Sequence, residues 1–227
     1  MLINLQGYGV SLIQGFGLTA ILGVSSLFVS MIFGILAAIA ATHSKAWIRS
    51  ISFFYTTIIR GVPDLVLLFL IFYGGQILLN KITDLFGLQM ISLNQFWAGV
   101  LTIGFIFGAF MAETFRGAIL AVPKGQNEAA IACGMKKLLI FRRIILPQAM
   151  RHALPGIGNN WLVMLKTTAL VSLIGLDDLV RRADNAGKAL RDPFTFYLMA
   201  SIGFLIFTSI SIVIFKYLEK RYNTGFK

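Results

Sequence analysis

The chain has 227 residues, of which 57% are hydrophobic and only 13% charged, with a mean hydropathy of +0.82. A soluble domain carries about a quarter charged residues, so this composition excludes an ordinary soluble globule and points to a membrane. The net charge of +11 does not signal nucleic acid, because the charges cluster in short segments between apolar runs.

Five membrane spans are predicted, at roughly 13–41, 52–79, 96–121, 154–176 and 195–217. The first 42 residues hold no Lys, Arg, Asp or Glu, so no cleavable signal with a basic leader is expected. The apolar run Leu12–Ala41 would be about 45 Å long as one helix, against ~30 Å of hydrocarbon, so it is tilted or starts outside the core. No run alternates with period two, which argues against a barrel, and helices satisfy their own backbone where no water can.

The second span is irregular. Gly61 and Pro63 break it, with Arg60 and Asp64 on either side, and the run Leu65–Gly74 beyond is read as too short to cross alone. Two readings stand. A broken helix buried at membrane depth often lines a substrate path. Alternatively, Ser52–Arg60 is an interfacial helix and Pro63 starts the true span. Gly74-Gly75 and the amphipathic stretch Lys81–Asn94 form the first outer connection. Gly104 and Gly108 make a small-xxx-small motif for close helix packing, within the subunit or between subunits. Trp47, Trp97 and Trp161 fall near predicted span ends, as interfacial anchors do.

Between the third and fourth spans lies Gly125-Gln-Asn-Glu-Ala-Ala-Ile-Ala-Cys-Gly134, continued to Arg142-Arg-Ile-Ile-Leu-Pro-Gln-Ala149. Lys124, Lys136, Lys137, Arg142, Arg143 and Arg151 surround a single acid, Glu128. Glu128–Cys133 is predicted as a short helix, Gly134 as a turn, and Lys136–Ile145 as a second helix ended by Pro147. Two short helices at an angle would form a knob for another protein. Cys133, the sole cysteine, rules out an internal disulfide and is read as a small packing residue. The second outer connection, Asp177–Asp192, has balanced charges and reads as a solvated loop with a short helix, or as a docking surface.

Orientation follows from the bases. With the N-terminus outside, the inner segments hold twelve: Lys45, Arg49, the six of the loop, Lys216, Lys220, Arg221 and Lys227. The outer segments hold five, which sets N-out, C-in and puts the loop in the cytoplasm.

No G-x-x-x-x-G-K-[ST] or H-E-x-x-H occurs, and His43 and His152 are the only histidines, so neither nucleotide nor metal binding is expected of this chain. The chemistry must rest on charges within the spans: Glu113, Arg116 and Lys166, with Asp64 and Arg60 at the break. Glu113 and Arg116, three residues apart, can satisfy each other, or Glu113 can receive an amino or cationic group. Asp64 is either a substrate contact or a carboxylate favoured by a helix start. Lys166, near the middle of the fourth span, pairs with a carboxylate of this or a partner chain or meets a substrate carboxylate.

The pattern Glu128-Ala129-Ala130, Gly134, Ile145-Leu146-Pro147 resembles the EAA loop of ABC importer permeases. Tyr55–Pro63, Gly108–Gly117, Val122–Gln126 and Lys166–Leu170 are similar to the polar amino acid branch, nearest its Q-type permeases for histidine, lysine, arginine and ornithine. Asp64 departs from the apolar residue common after the R-G-T-P pattern, a departure those Q-type permeases share. The resemblance implies one all-α domain over 1–227 with the type I ABC importer permease fold, in the bacterial inner membrane, and a cytoplasmic coupling loop over 122–153. It implies that Gly125, Glu128, Ala129, Ala130, Gly134, Arg142, Arg143 and Pro147 couple to an ATPase. Asp64, Glu113, Arg116 and Lys166 are the candidates for the substrate path. The implied partners are a second permease subunit, a dimer of cytoplasmic subunits that bind ATP and Mg, and a periplasmic amino-acid-binding protein. Import of basic amino acids by ATP-driven alternating access is the expected function. A passive channel subunit without an ATPase is the alternative, and an intramembrane enzyme using Glu113 and Lys166 is a third reading.

Overall fold

The computed structural model describes residues 7–223, so Lys227 of the charge count lies outside the described residues. The α-helices are α1 (Gly9–Ala41), α2 (Ala46–Gly61), α3 (Asp64–Leu85), α4 (Gln95–Leu120), α5 (Lys124–Ala132), α6 (Lys137–Ile140), α7 (Leu146–Thr167), α8 (Leu179–Leu190) and α9 (Pro193–Asn223). A π-helical segment, Phe141–Ile145, joins α6 to α7, and a 3₁₀ segment, Thr168–Ile174, extends α7. Among the described residues five helical runs are long and apolar enough to cross a membrane: α1, α3, α4, Lys137–Ile174 and Pro193–Tyr222.

At the centre of the bundle is α4. Asn94 caps it, its side chain accepting from the N–H groups of Phe96 (3.0 Å) and Trp97 (3.3 Å). Val100, Ile103, Ile106, Phe107 and Met111 are almost fully buried. The neighbour α1 buries a stripe of small residues at helical spacing, Gly15, Thr19, Gly23, Ser26, Ser30, Gly34 and Ala38, while Val10, Ile21, Phe28 and Leu36 point outward. Small residues let the two backbones approach, which is how helices associate where lipid is as apolar as leucine. A Cβ on Gly104 would collide with Val29, and one on Gly108 would lie 2.5 Å from Phe33 Cβ. The small-xxx-small motif therefore packs inside the subunit, against α1.

The second predicted span is two helices. Val62 and Pro63 are extended, and α3 restarts at Asp64. This favours the reading in which Pro63 starts the true span. The expectation that Leu65–Gly74 is too short fails, because α3 continues to Leu85 through Gly74-Gly75. Just past that glycine pair, Gln76 ties α3 to the following loop, donating to the Ile91 carbonyl (2.8 Å) and accepting from Leu93 N–H (2.7 Å). The other part, α2, is amphipathic. Ser52, Thr56 and Ile59 are buried, and Tyr55 donates to the Phe105 carbonyl of α4 (2.6 Å).

Pro147 does not end a helix. It sits in the first turn of α7, where a missing N–H costs little, and the π-helical turn before it keeps the chain helical from Lys137 to Ile174. The fourth span thus begins well before residue 154, and the second half of the expected loop is its first turns. Trp161 is also corrected: it is buried, and its indole N–H donates to Ser211 Oγ of α9 (2.8 Å), whereas Trp47 and Trp97 are exposed. Cys133 is exposed rather than packed.

The second outer connection is more than a solvated loop. Leu179, Ala183, Ala186 and Gly187 of α8 are buried beside α1 and α9. Asp178 caps α8 through Oδ1, which accepts from Arg181 N–H (2.9 Å), while its buried Oδ2 has no hydrogen-bond partner. Burial pushes the Asp178 carboxyl up to about 6. A carboxyl raised above its ordinary value stabilises the fold below that ordinary value, and the contribution is lost as pH rises through about 6. Asp178→Asn is therefore expected to match the wild type in thermal melts near pH 4 and to exceed it by several degrees at neutral pH. An offset independent of pH would show that Asp178 does not titrate in the fold.

Candidate functional site

Two places collect the candidate residues. The first is the knob. In α5, Glu128 and Ala129 are exposed and Ala130 is buried. The helix closes on Gly134, whose φ of +74° suits glycine. Gly134 N–H donates to the Ile131 carbonyl (2.9 Å) and Met135 N–H to the Ala130 carbonyl (3.1 Å), a Schellman closure that sets the angle between α5 and the run starting at Lys137. Gly125, Arg142, Arg143 and Pro147 are exposed. Ile131 and Leu138 are also exposed, so the knob presents apolar side chains among bases, with Glu128 as its one carboxylate.

The second is a cavity of about 710 Å³ between α2 and α4, near the end of α1 at Ala41. On α2, Arg49, Ser52, Thr56 and Arg60 contribute to its wall. On α4, Phe110, Glu113 and Arg116 do. Glu113 Oε2 accepts from Arg116 Nη2 (2.6 Å) and Nε (3.0 Å). The Arg60 guanidinium lies 5.5 Å from the centre of the Phe110 ring. The pair foreseen at three-residue spacing is thus formed, and both side chains line the cavity.

The other two candidates are elsewhere. Half-buried Asp64 is the first residue of α3, where a carboxylate meets the positive end of the helix dipole, and it does not line the cavity. Lys166 is in the last turn of α7, just before the run changes to 3₁₀ geometry at Thr168. Its side chain is exposed, and no carboxylate of the described residues pairs with it. Arg49 entered the sequence reading only as an inward charge. Its signal was the spacing 49, 52, 53, 56, 57 and 60, one face of a helix.

Residues 30–224 match the family of binding-protein-dependent transport system inner membrane components. The chain belongs to this family. The permease is 47% identical to the histidine/lysine/arginine/ornithine transport system permease protein HisQ of Escherichia coli over 98% of both chains. It is 38% identical to the octopine transport system permease protein OccQ of Rhizobium radiobacter, over 97% of this chain and 93% of that one. Among solved structures it superposes on an amino acid ABC transporter described with histidines, at a TM-score of 0.83 and 31% identity, covering 97% of this chain and 98% of that one. The permease is accordingly a multi-pass membrane subunit of an amino acid ABC importer, of the cytoplasmic membrane.

Proposed function

We propose that this permease imports basic amino acids, histidine, lysine, arginine and ornithine, by ATP-driven alternating access. The likeness to HisQ over nearly the whole chain carries this reading. The chain pairs with a second, similar permease subunit. Two cytoplasmic ATPase subunits hold ATP and Mg, and a periplasmic amino-acid-binding protein delivers substrate to the outer face, where α8 and its charged rim lie.

Coupling runs through the single domain's inner loop, 122–153. Gly125, Glu128, Ala129, Ala130, Gly134, Arg142, Arg143 and Pro147 form the surface that the ATPase grips. The exposure of Glu128, Arg142 and Arg143, and the fixed turn at Gly134, support it. The long helix leaving the knob, Lys137–Ile174, passes into the bundle core at Met164 and Leu165, so a displacement of the knob reaches the packed centre. ATP closes the two ATPases, the knobs converge, and the path opens outward. Hydrolysis returns it inward.

Asp64, Glu113, Arg116 and Lys166 border the substrate path, with Lys166 turned toward the second subunit. Asp64→Asn is expected to lower lysine and arginine uptake several-fold while the complex assembles normally; equal losses of assembly and uptake would remove Asp64 from the path. The test of the whole reading is purification of the chain from native membranes, followed by reconstitution. Co-purified ATPase and ATP-dependent uptake of basic amino acids are expected. A bare oligomer that passes solute without ATP would favour the channel.

A further inference from the structure

A separate cleft of about 250 Å³ runs between α7 and α9. The two helices are antiparallel in register. Trp161 bonds Ser211 (2.8 Å), and a Cβ on Gly158 would meet the Phe215 ring at 3.1 Å. Leu162 and Ile212 therefore stand at one end of the cleft, and Pro155 and Glu219 about 10 Å away at the other. The first end is apolar. The second carries Lys216 and Glu219, with Asn159 on the facing wall. Lys220 and Arg221 follow on α9, and Tyr217 and Tyr222 are exposed, so this end lies at the membrane surface, where bases and amphipathic rings collect. A charged rim over an apolar depth follows the profile of a phospholipid. Lys216 and Glu219 are three residues apart on α9, with Cβ atoms about 5–6 Å from each other on one face. They do not pair, and neither they nor Asn159 has a hydrogen bond or ion pair among the described residues. Opposite charges side by side without partners match a ligand head that carries both signs.

We propose that this cleft binds phosphatidylethanolamine. Lys216 and Asn159 donate to the phosphate, Glu219 accepts from the primary ammonium, and one acyl chain lies along Leu162 and Ile212. The two carbons between phosphate and ammonium suit charges that neighbour each other on one helix face. Phosphatidylglycerol has no cation for Glu219, which repels its phosphate. Phosphatidylcholine has a methylated ammonium with no N–H, so Glu219 loses its hydrogen bond. Free phosphate has no chain to fill the apolar end. The site depends on the membrane spans alone and is independent of the solute transported.

The test uses the complex as purified from native membranes, in nanodiscs of phosphatidylcholine. Phosphatidylethanolamine, phosphatidylglycerol and phosphatidylcholine, each with a diazirine on one acyl chain, are added in turn at equal mole fraction. After illumination, mass spectrometry reads the label on the peptides that hold Leu162 and Ile212, as a share of the label on the whole chain. Phosphatidylethanolamine is expected to label them about fivefold more than either other lipid, the scale of one ion pair at a partly exposed site. Glu219→Gln is expected to remove the preference over phosphatidylcholine. Lys216→Gln is expected to lower phosphatidylethanolamine and phosphatidylcholine alike, since both carry the phosphate. Both residues stand outside the core clusters, so the variants keep the fold, and unchanged total label reports that. Equal labelling by the three lipids in the wild type, or a preference that survives both substitutions, overturns the proposal. So does a lack of label at Leu162 and Ile212 beside ordinary labelling elsewhere on the chain, which would assign the cleft to the second permease subunit.

Discussion

Glu128→Lys is expected to bring down the second permease subunit in a detergent pulldown but not the ATPase, and to lower ATP-driven uptake about a hundredfold. The scale follows from turning the only carboxylate of a six-base knob into a seventh base: like charges facing each other across an interface cost several kcal/mol, and about 3 kcal/mol is a hundredfold in affinity. The side chain is exposed in the middle of α5 and lies outside the bundle core, so the membrane part should fold unchanged. Recovery of the second permease reports that directly. Normal ATPase recovery with the reversed charge would detach the knob from coupling and return the channel reading to first place.

Gly104→Ala is expected to lower the thermal midpoint of the complex by about 5–10 °C, the consequence of about 1–3 kcal/mol of overpacking. The added methyl meets two atoms of the Val29 side chain and the Ser26 carbonyl of α1, and backbone cannot swing aside. Gly74→Ala is the matched control. Nothing lies within 4 Å of its Cβ position, and replacing a glycine inside α3 removes a helix penalty of up to about 1 kcal/mol. The two alanines should move the midpoint in opposite directions. A fall of equal size in both would trace the effect to something other than the α1–α4 contact.

The membrane class, the number of spans and the position of the knob were legible in the sequence, because each follows from local composition. Twenty or so apolar residues, a basic loop and a glycine at a turn report themselves without knowledge of neighbours. The Glu113–Arg116 pair was legible for the same reason, being a matter of spacing on one helix.

What composition could not resolve was decided by contacts between elements. Pro147 reads as a stop, yet the π-helical turn before it and the packing of Ala149, Ala153 and Ile157 carry the helix through. Trp161 reads as an anchor at the membrane surface until Ser211, fifty residues on, is seen to accept its N–H. The inner direction of Gly104 and Gly108 depends on Val29 and Phe33 of another helix. The cavity is of the same kind. Its arginines are spread over α2 and α4, and only the packing of those helices brings Arg60 over Phe110 and onto the same cavity wall as Glu113. Hydrophobicity and charge are properties of a segment and survive in the sequence; a charge pattern shared between segments exists only once the chain has packed.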